Sequence, residues 1–479
     1  MDSSEKLKKF LVENNLINPS PNRVQKIFDC LARVLPSFFI LLAKALTSRN
    51  NYKRLTESHE FLLRANKSLG KAEYRQCKKF LKVAISLVGR ELPREFRRYV
   101  FLEFLRIIRD PKKHLVVSID LINKIRNLKS QGSKISPDTW YFLSKYLNFL
   151  GFTVAGFHAR DTSIALRQRR IVDGFSESRS IELAVASCLE LNDILQAEKI
   201  LRLHAQKIRP DRIRDFYLHL SLVSSAQDKK SLQNFYPLNP NLYDLINEKS
   251  VALIGPGVPS GEYGYEIDSA DVVVRVKFAG SNYLPPANMH GSRCDVASFN
   301  NLSSFSLLSD GGVEVGILKG LKAVLSCKRS TLKSIQGVPV VFIDGLRSAY
   351  PSGGLTAGIT TLVNLVMLNP SRLKVYGFDF YTETRVYNSS LTTFYQNDSW
   401  MIGWPPFGGD DLNSFANRVK GHFWEDQICN FALAQNLYNS GTFEIDDHGS
   451  GILALSREEY SKRIEELLRN ALIKSQPLI

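Results

Sequence analysis

Ser250–Phe278 reads SVALIGPGVPSGEYGYEIDSADVVVRVKF, and this stretch decides the fold. Its first apolar run, Val251-Ala252-Leu253-Ile254, is too short for a helix of its own and reads as a buried parallel strand. A turn on Gly255-Pro256-Gly257 follows, with further breakers at Pro259, Gly261 and Gly264. The acidic-polar segment Glu266–Asp271 leads into a second apolar run, Val272-Val273-Val274, which ends in Arg275 and Lys277. Glycines in such a turn let the backbone approach a bound phosphate or sugar. Ligands of open α/β sheets bind at the carboxyl ends of parallel strands. Gly255, Pro256, Gly257, Arg275 and Lys277 are therefore candidate binding positions.

Downstream the texture stays the same, with short apolar runs punctuated by glycine, proline and serine. Val296–Phe299, Ala323–Ser326, Val338–Ile343 and Leu373–Phe378 read as strands. Pro351-Ser352-Gly353-Gly354 is expected to open a helix that runs to about Leu368, and Ser456–Lys474 a terminal amphipathic one. The alternation predicts a parallel sheet with helices on both faces. Upstream, apolar residues recur every three or four positions over Phe61–Val88, Phe96–Ile108, Leu115–Leu128, Trp140–Phe152, Ser180–Leu191 and Asp193–Ile208. Residues 1–235 are thus expected to form an all-α part, a solenoid-like stack or an irregular bundle, and 245–479 an α/β domain. Asn234–Pro240, with two prolines and two asparagines, reads as the linker.

Charge divides the chain at the same place. The net charge is +16, yet beyond residue 250 there are 19 basic and 22 acidic side chains, so the first 250 residues carry +19. The basic half is a candidate for an anionic membrane surface, the alternative being a solvated helical face; no specific nucleic acid is implied. Six scattered cysteines form no CxxC pair, which fits a reduced cytosolic chain. The opening Met1-Asp2-Ser3-Ser4-Glu5 lacks the basic and apolar regions of a signal peptide. The expected location is cytoplasmic, peripheral to the inner face of a membrane.

Three places can carry chemistry. The glycine turn is followed by no Lys-Ser/Thr pair, and its breakers make a helix directly after Gly257 improbable, against a nucleotide-hydrolase or nicotinamide loop. Ser352 can cap the next helix while Gly353 and Gly354 leave its first N–H groups open to an anion. His422-Phe423-Trp424-Glu425-Asp426 offers a general base beside carboxylates; His290 and His448 are the other histidines of this half. No D-x-D sequence occurs, so no nucleotide-bridging metal is expected.

Taken together, these segments resemble the eukaryotic-type sialyltransferases. Gly255, Gly257, Gly264, Ile267, Asp268, Asp271, Val273 and Arg275 match the family's long motif, and Gly291-Ser292-Arg293 matches its continuation. Pro351–Gly354 with Val375-Tyr376-Gly377-Phe378 resembles the short motif, and His422–Glu425 the third. The resemblance spans Val251 to about Asp447 and none of the helical half. It departs at Pro256 and Lys277, where the family has asparagines that contact cytidine nucleotide, and in the family's last motif, a histidine with glutamate five residues on. The animal enzymes' paired cysteines are absent, Val251 standing at one such position, which fits a bacterial-type member.

The resemblance implies a Rossmann-like glycosyltransferase domain, a GT-A-like variant, behind the helical accessory part. It further implies metal-independent, inverting transfer of a 2-keto sugar acid, sialic acid or Kdo, from a CMP-activated donor to a glycan or glycolipid hydroxyl. Gly255, Pro256, Gly257, Arg275, Lys277, Ser352, Gly353 and Gly354 would hold the donor, and His422 or His448 would act as base. The competing reading is a non-enzymatic helical scaffold with a degenerate nucleotide-binding fold.

Overall fold

The computed structural model describes the chain from residue 84 to residue 474, except for 86–90, 110, 131–134, 175–176, 224–238, 258, 260, 279, 281–283, 300–319, 328–333, 336, 344–345, 347–348, 350–354 and 384–425. The helical half contributes α1 (Arg94–Arg109), α2 (His114–Ser130), α3 (Pro137–Phe149), α4 (Thr153–Val172), α5 (Ser178–Glu190), α6 (Ile194–His204) and α7 (Pro210–Val223). Ser136 caps α3 by accepting the Thr139 N–H, with Pro137 supplying a preset φ at the first position.

Helix α4 lies outside the expected segments, and it is the centre of this half, packed against α2, α3, α5 and the chain's last helix. Gly156 permits the close crossing with α3, because a Cβ there would meet the Asn148 side chain and the Ser144 carbonyl. Helix α7 also lies outside those segments; it starts at Pro210, which reads from sequence as a break. Among the described residues no helix is long and apolar enough to cross a membrane.

The second half follows as α8 (Pro240–Ile246), β1 (Ser250–Ile254), α9 (Gly264–Ser269), β2 (Val272–Val276), α10 (Ala287–His290), β3 (Val296–Phe299), β4 (Ala323–Ser326), β5 (Ser334–Ile335) and β6 (Val338–Phe342). It continues with α11 (Ala357–Met367), β7 (Arg372–Tyr376), α12 (Gln427–Asn439), β8 (Glu444–Ile445), α13 (Asp447–Leu453) and α14 (Arg457–Lys474). The strands form one sheet in the order β5-β6-β4-β3-β2-β1-β7-β8. Seven strands are parallel, and the two-residue β5 adds an antiparallel edge. An α/β fold with a parallel sheet is therefore present.

Alternation along each strand separates the two faces. Val251, Leu253, Val272, Val274 and Val375 join the main core with α11. Ala252, Ile254, Val273 and Tyr376 face the other way, onto Ile267 of α9. The main core is continuous with the helical half, running from Phe96 through the sheet to Leu468.

Polar links cross the same junction. Thr153 donates to the Ser461 carbonyl (2.7 Å), and the Val154 N–H donates to Glu465 (2.7 Å). Burial pushes the Glu465 carboxyl up to about 7, although hydrogen bonds from Ser118 and Val154 work the other way. The folded protein then keeps a proton that the unfolded chain has lost above its ordinary value of 4.5. This costs stability progressively as pH rises from that value through about 7. Glu465→Gln removes the dependence, so relative to wild type the variant gains stability between pH ~5 and ~8 in urea unfolding. A difference constant with pH contradicts this, since the neighbouring buried His114 is common to both proteins.

Candidate functional site

The chain runs outward from β1 through β2, β3 and β4 to β6, then returns to place β7 on the other side of β1. The strand order thus reverses between β1 and β7, and the crevice above such a switch point is where open α/β sheets take ligands. A cleft lies there. It is lined by Pro256 after β1, Val276 and Lys277 at the end of β2, Gly377 to Tyr381 after β7, Thr356 to Ile359 at the start of α11, and Gln427 and Asn430 in the first turn of α12.

Two helix N-termini therefore meet one lysine. Thr356 caps α11 by accepting the Ile359 N–H, and its own N–H donates to Asn430 Oδ1 (2.8 Å). Asp426 caps α12 by accepting the Cys429 N–H. Helix starts present unpaired N–H groups and positive potential, so this end of the cleft favours an anion. Lys277 is fixed through its N–H to the Ser298 carbonyl (2.7 Å) and has a left-handed backbone, φ +59°. Among the described residues Asp379 is the one carboxylate that lines the cleft; it accepts the Tyr381 N–H (3.0 Å).

The expected binding residues divide into two groups. Pro256 and Lys277 line the cleft, whereas Arg275 does not. Arg275 is buried, and its guanidinium donates to the carbonyls of Arg293 (2.7 Å) and His290 (2.7 Å). Alternation explains the placing: Arg275 follows Val273 toward the α9 face, while the left-handed turn at Lys277 breaks the pattern. Gly255 and Gly257 serve the protein's own packing. A Cβ on either would press on the Gly377 carbonyl, and one on Gly255 would also strike Phe378. These glycines let the β1 and β7 turns close together, with Gly257 N–H donating to Gly377 O (3.1 Å).

Ser352, Gly353, Gly354 and His422 lie outside the described residues. Helix α11 begins at Ala357 rather than beside Ser352, and its cap is Thr356. His448 stands in helix α13, where the sequence reads as a flexible turn, because Asp446 caps that helix through the Gly449 N–H (2.8 Å). The His448 ring lies 3.2 Å from Glu383, which Arg463 also holds (3.1 Å). Glu383 belongs to the turn whose first residues line the cleft, but His448 itself is not a lining residue. Glu383 and the lining residues Asp379, Gln427 and Asn430 escape sequence reading, being unremarkable polar residues at element ends.

The other residues of the 264–293 pattern form a bracket. Asp268 accepts the N–H groups of Ser292 (2.8 Å) and Arg293 (3.0 Å) and the Ser292 hydroxyl (2.9 Å). Burial opposes its charge, but these hydrogen bonds hold the Asp268 carboxyl below its ordinary value. Arg293 returns two hydrogen bonds, to the carbonyls of Asp268 (2.6 Å) and Ala270 (2.7 Å). Asp271 accepts the N–H and hydroxyl of Ser250 (2.8 and 2.7 Å), tying the start of β2 to that of β1. Among the described residues no group of three or more His, Cys, Asp or Glu is placed to hold a metal ion. Compared with family models, curated proteins and solved structures, the chain matches none.

Proposed function

We propose that the chain is a glycosyltransferase of the sialyltransferase type, with a Rossmann-like catalytic half, that binds the CMP part of its donor in the cleft at the switch point. One observation carries this reading. Positions 256 and 277, where the family pattern has its nucleotide-contacting asparagines, both line this cleft, facing the start of α11. Lys277 and the two helix starts supply fixed positive potential for the phosphate of a CMP-activated 2-keto sugar acid. In the reaction the bond from the sugar's anomeric carbon to the CMP oxygen breaks. An acceptor hydroxyl of a glycan or glycolipid attacks from the opposite side, and its proton passes to a base. CMP leaves as an already anionic phosphate monoester, so the chemistry asks for no bridging metal. His422 is the assigned base and His448, paired with Glu383, its rival.

The non-enzymatic reading draws on one feature of the same cleft: Pro256 offers neither a side-chain amide nor an N–H to a nucleotide. Two measurements separate the possibilities. In a thermal-shift comparison of CMP, UDP, GDP and NAD, CMP is expected to raise the melting temperature most, by mass action on the folded state. A larger shift with UDP, GDP or NAD contradicts the donor assignment. Release of CMP from the activated sugar in the presence of EDTA then distinguishes an enzyme from a binding fold. The nicotinamide alternative requires a helix directly after Gly257; residues 259 and 261–263 are non-helical, and α9 starts only at Gly264.

For the basic helical half we propose docking on an anionic membrane surface, with a solvated helical face as the alternative. The support is the charge division of the sequence.

A further inference from the structure

Asp426 has unusual surroundings for a helix cap. It is buried, its backbone is left-handed at φ +50°, and its carboxylate is shared between the two halves of the chain. The Tyr141 hydroxyl of α3 donates to it at 2.6 Å, and the Arg160 guanidinium of α4 at 3.0 Å. Arg160 also pairs with Glu190 of α5, which Arg457 of α14 joins at 3.2 Å. Burial works against the Arg160 charge, but Asp426 and Glu190 more than offset it and raise its pKa.

From this point two hydrogen bonds lead into the cleft. Asp426 fixes the first turn of α12, which carries the lining residues Gln427 and Asn430. Asn430 in turn accepts the Thr356 N–H, and Thr356 caps α11, the helix whose start forms the opposite wall. The path from helical half to ligand wall is therefore Arg160 and Tyr141, Asp426, Asn430, Thr356.

We propose that Tyr141 and Arg160 are positioning residues for the cleft, so that the helical half is an integral part of the ligand site rather than a separable accessory. Neither residue lines the cleft. Both act through Asp426 on two helix starts, whose N–H groups can hold an anion only when the helices are aimed together. The junction through Thr153, Val154 and Glu465 also joins the two halves, but its hydrogen bonds reach α14 and none of the lining residues.

That contrast supplies the control. Tyr141→Phe deletes one hydroxyl and keeps the ring; Thr153→Val deletes one hydroxyl at the other junction. The full-length chain is used throughout, with amide hydrogen exchange as a ligand-independent readout and CMP titration as the second. Tyr141→Phe is expected to speed exchange at the start of α11 and of α12, and to weaken CMP binding by about threefold to tenfold, less than the loss of a direct hydrogen bond to a charged group because the hydroxyl acts on the cleft only through Asp426. Thr153→Val is expected to leave both unchanged, even where its melting temperature falls as far. Asn430→Ala should reproduce the α11 effect, and its combination with Tyr141→Phe should be less than additive, as for residues in one network.

Faster exchange confined to α3, or an unchanged α11 start in Tyr141→Phe, overturns the proposal, as does equal weakening of CMP binding by Thr153→Val. The choice of CMP rests on the function proposed above. If wild type binds no CMP while the exchange pattern appears as expected, the nucleotide assignment fails and the positioning stands.

Discussion

Asp426→Ala is expected to cost about 3–5 kcal/mol of folding stability, the range for breaking a buried ion pair by removing one partner. The substitution leaves Arg160, 1% exposed, with Glu190 as its remaining carboxylate partner in α5. It leaves the buried Tyr141 hydroxyl without its acceptor and α12 without its cap. The cap alone is worth about 1 kcal/mol. The left-handed backbone adds to the loss, since alanine visits that region less readily than aspartate or asparagine. Asp426→Asn keeps the backbone tolerance and a capping oxygen while removing the charge, so its cost should fall clearly below that of alanine. Glu458→Ala is the reference at an exposed pair with Lys462, where about 0.5 kcal/mol or less is expected. Urea unfolding measures all three. A cost for Asp426→Ala within about 1 kcal/mol of wild type would mean that the network does not hold the two halves together.

This network also marks the limit of what sequence conveys. The strands were legible because each is a short, mostly apolar run between breakers, and β1, β2, β3, β4, β6 and β7 fall where those runs stand. Helix α4 was not, because helical periodicity is visible only when one face stays polar. Here Val154, Phe157, Ile164, Arg160 and Arg167 are all buried, charges included, so no clean stripe exists to find. Helix α13 was masked by Gly449, Ser450 and Gly451, poor helix formers. Its cap at Asp446, which also accepts the Gly377 N–H (2.7 Å), and the burial of Ile452 and Leu453 hold it in shape.

At the site, the sequence reading puts the helix cap at Ser352, whereas the cap is Thr356. What places the helix start at Thr356 is Asn430, far along the chain and without a local signature. The motif residues illustrate the opposite case. Asp268, Asp271, Arg275 and Arg293 stand out in sequence as charged groups near a glycine turn, yet their partners are backbone groups of the surrounding turns and strands together with the side chains of Ser250, Ser292 and Asp295. Charge and spacing show that a cluster exists; only the direction of each side chain separates scaffold from cleft.

Under the proposed function Lys277, a lining residue of the cleft, carries most of the donor's phosphate binding, and its backbone makes an unusually clean test. A lysine held at φ +59° sits in a region that favours glycine and asparagine, which costs of the order of 1 kcal/mol. Strain of this kind is retained where surrounding structure imposes it, here through the Lys277 N–H to the Ser298 carbonyl. Lys277→Gly removes the side chain and relieves the strain together, the relief being offset by the greater freedom of glycine in the unfolded chain. Stability is therefore expected to stay within about 1 kcal/mol of wild type. CMP affinity is expected to fall by at least about tenfold, the lower end for a lost hydrogen bond between charged groups. Lys277→Asn supplies the residue of the family pattern, tolerates the same backbone and retains a hydrogen-bond donor without charge. Its affinity should lie between those of wild type and glycine, and should respond less to added salt, because the screened lysine–phosphate attraction is gone. Lys277→Glu reverses the charge and should bind most weakly of the three. Calorimetric titration with CMP at two salt concentrations, beside urea unfolding of each variant, reads both quantities. Wild-type affinity in the glycine variant would remove the phosphate from this end of the cleft. A loss of affinity matched by a loss of several kcal/mol in stability would instead make Lys277 a structural residue of the β2 turn.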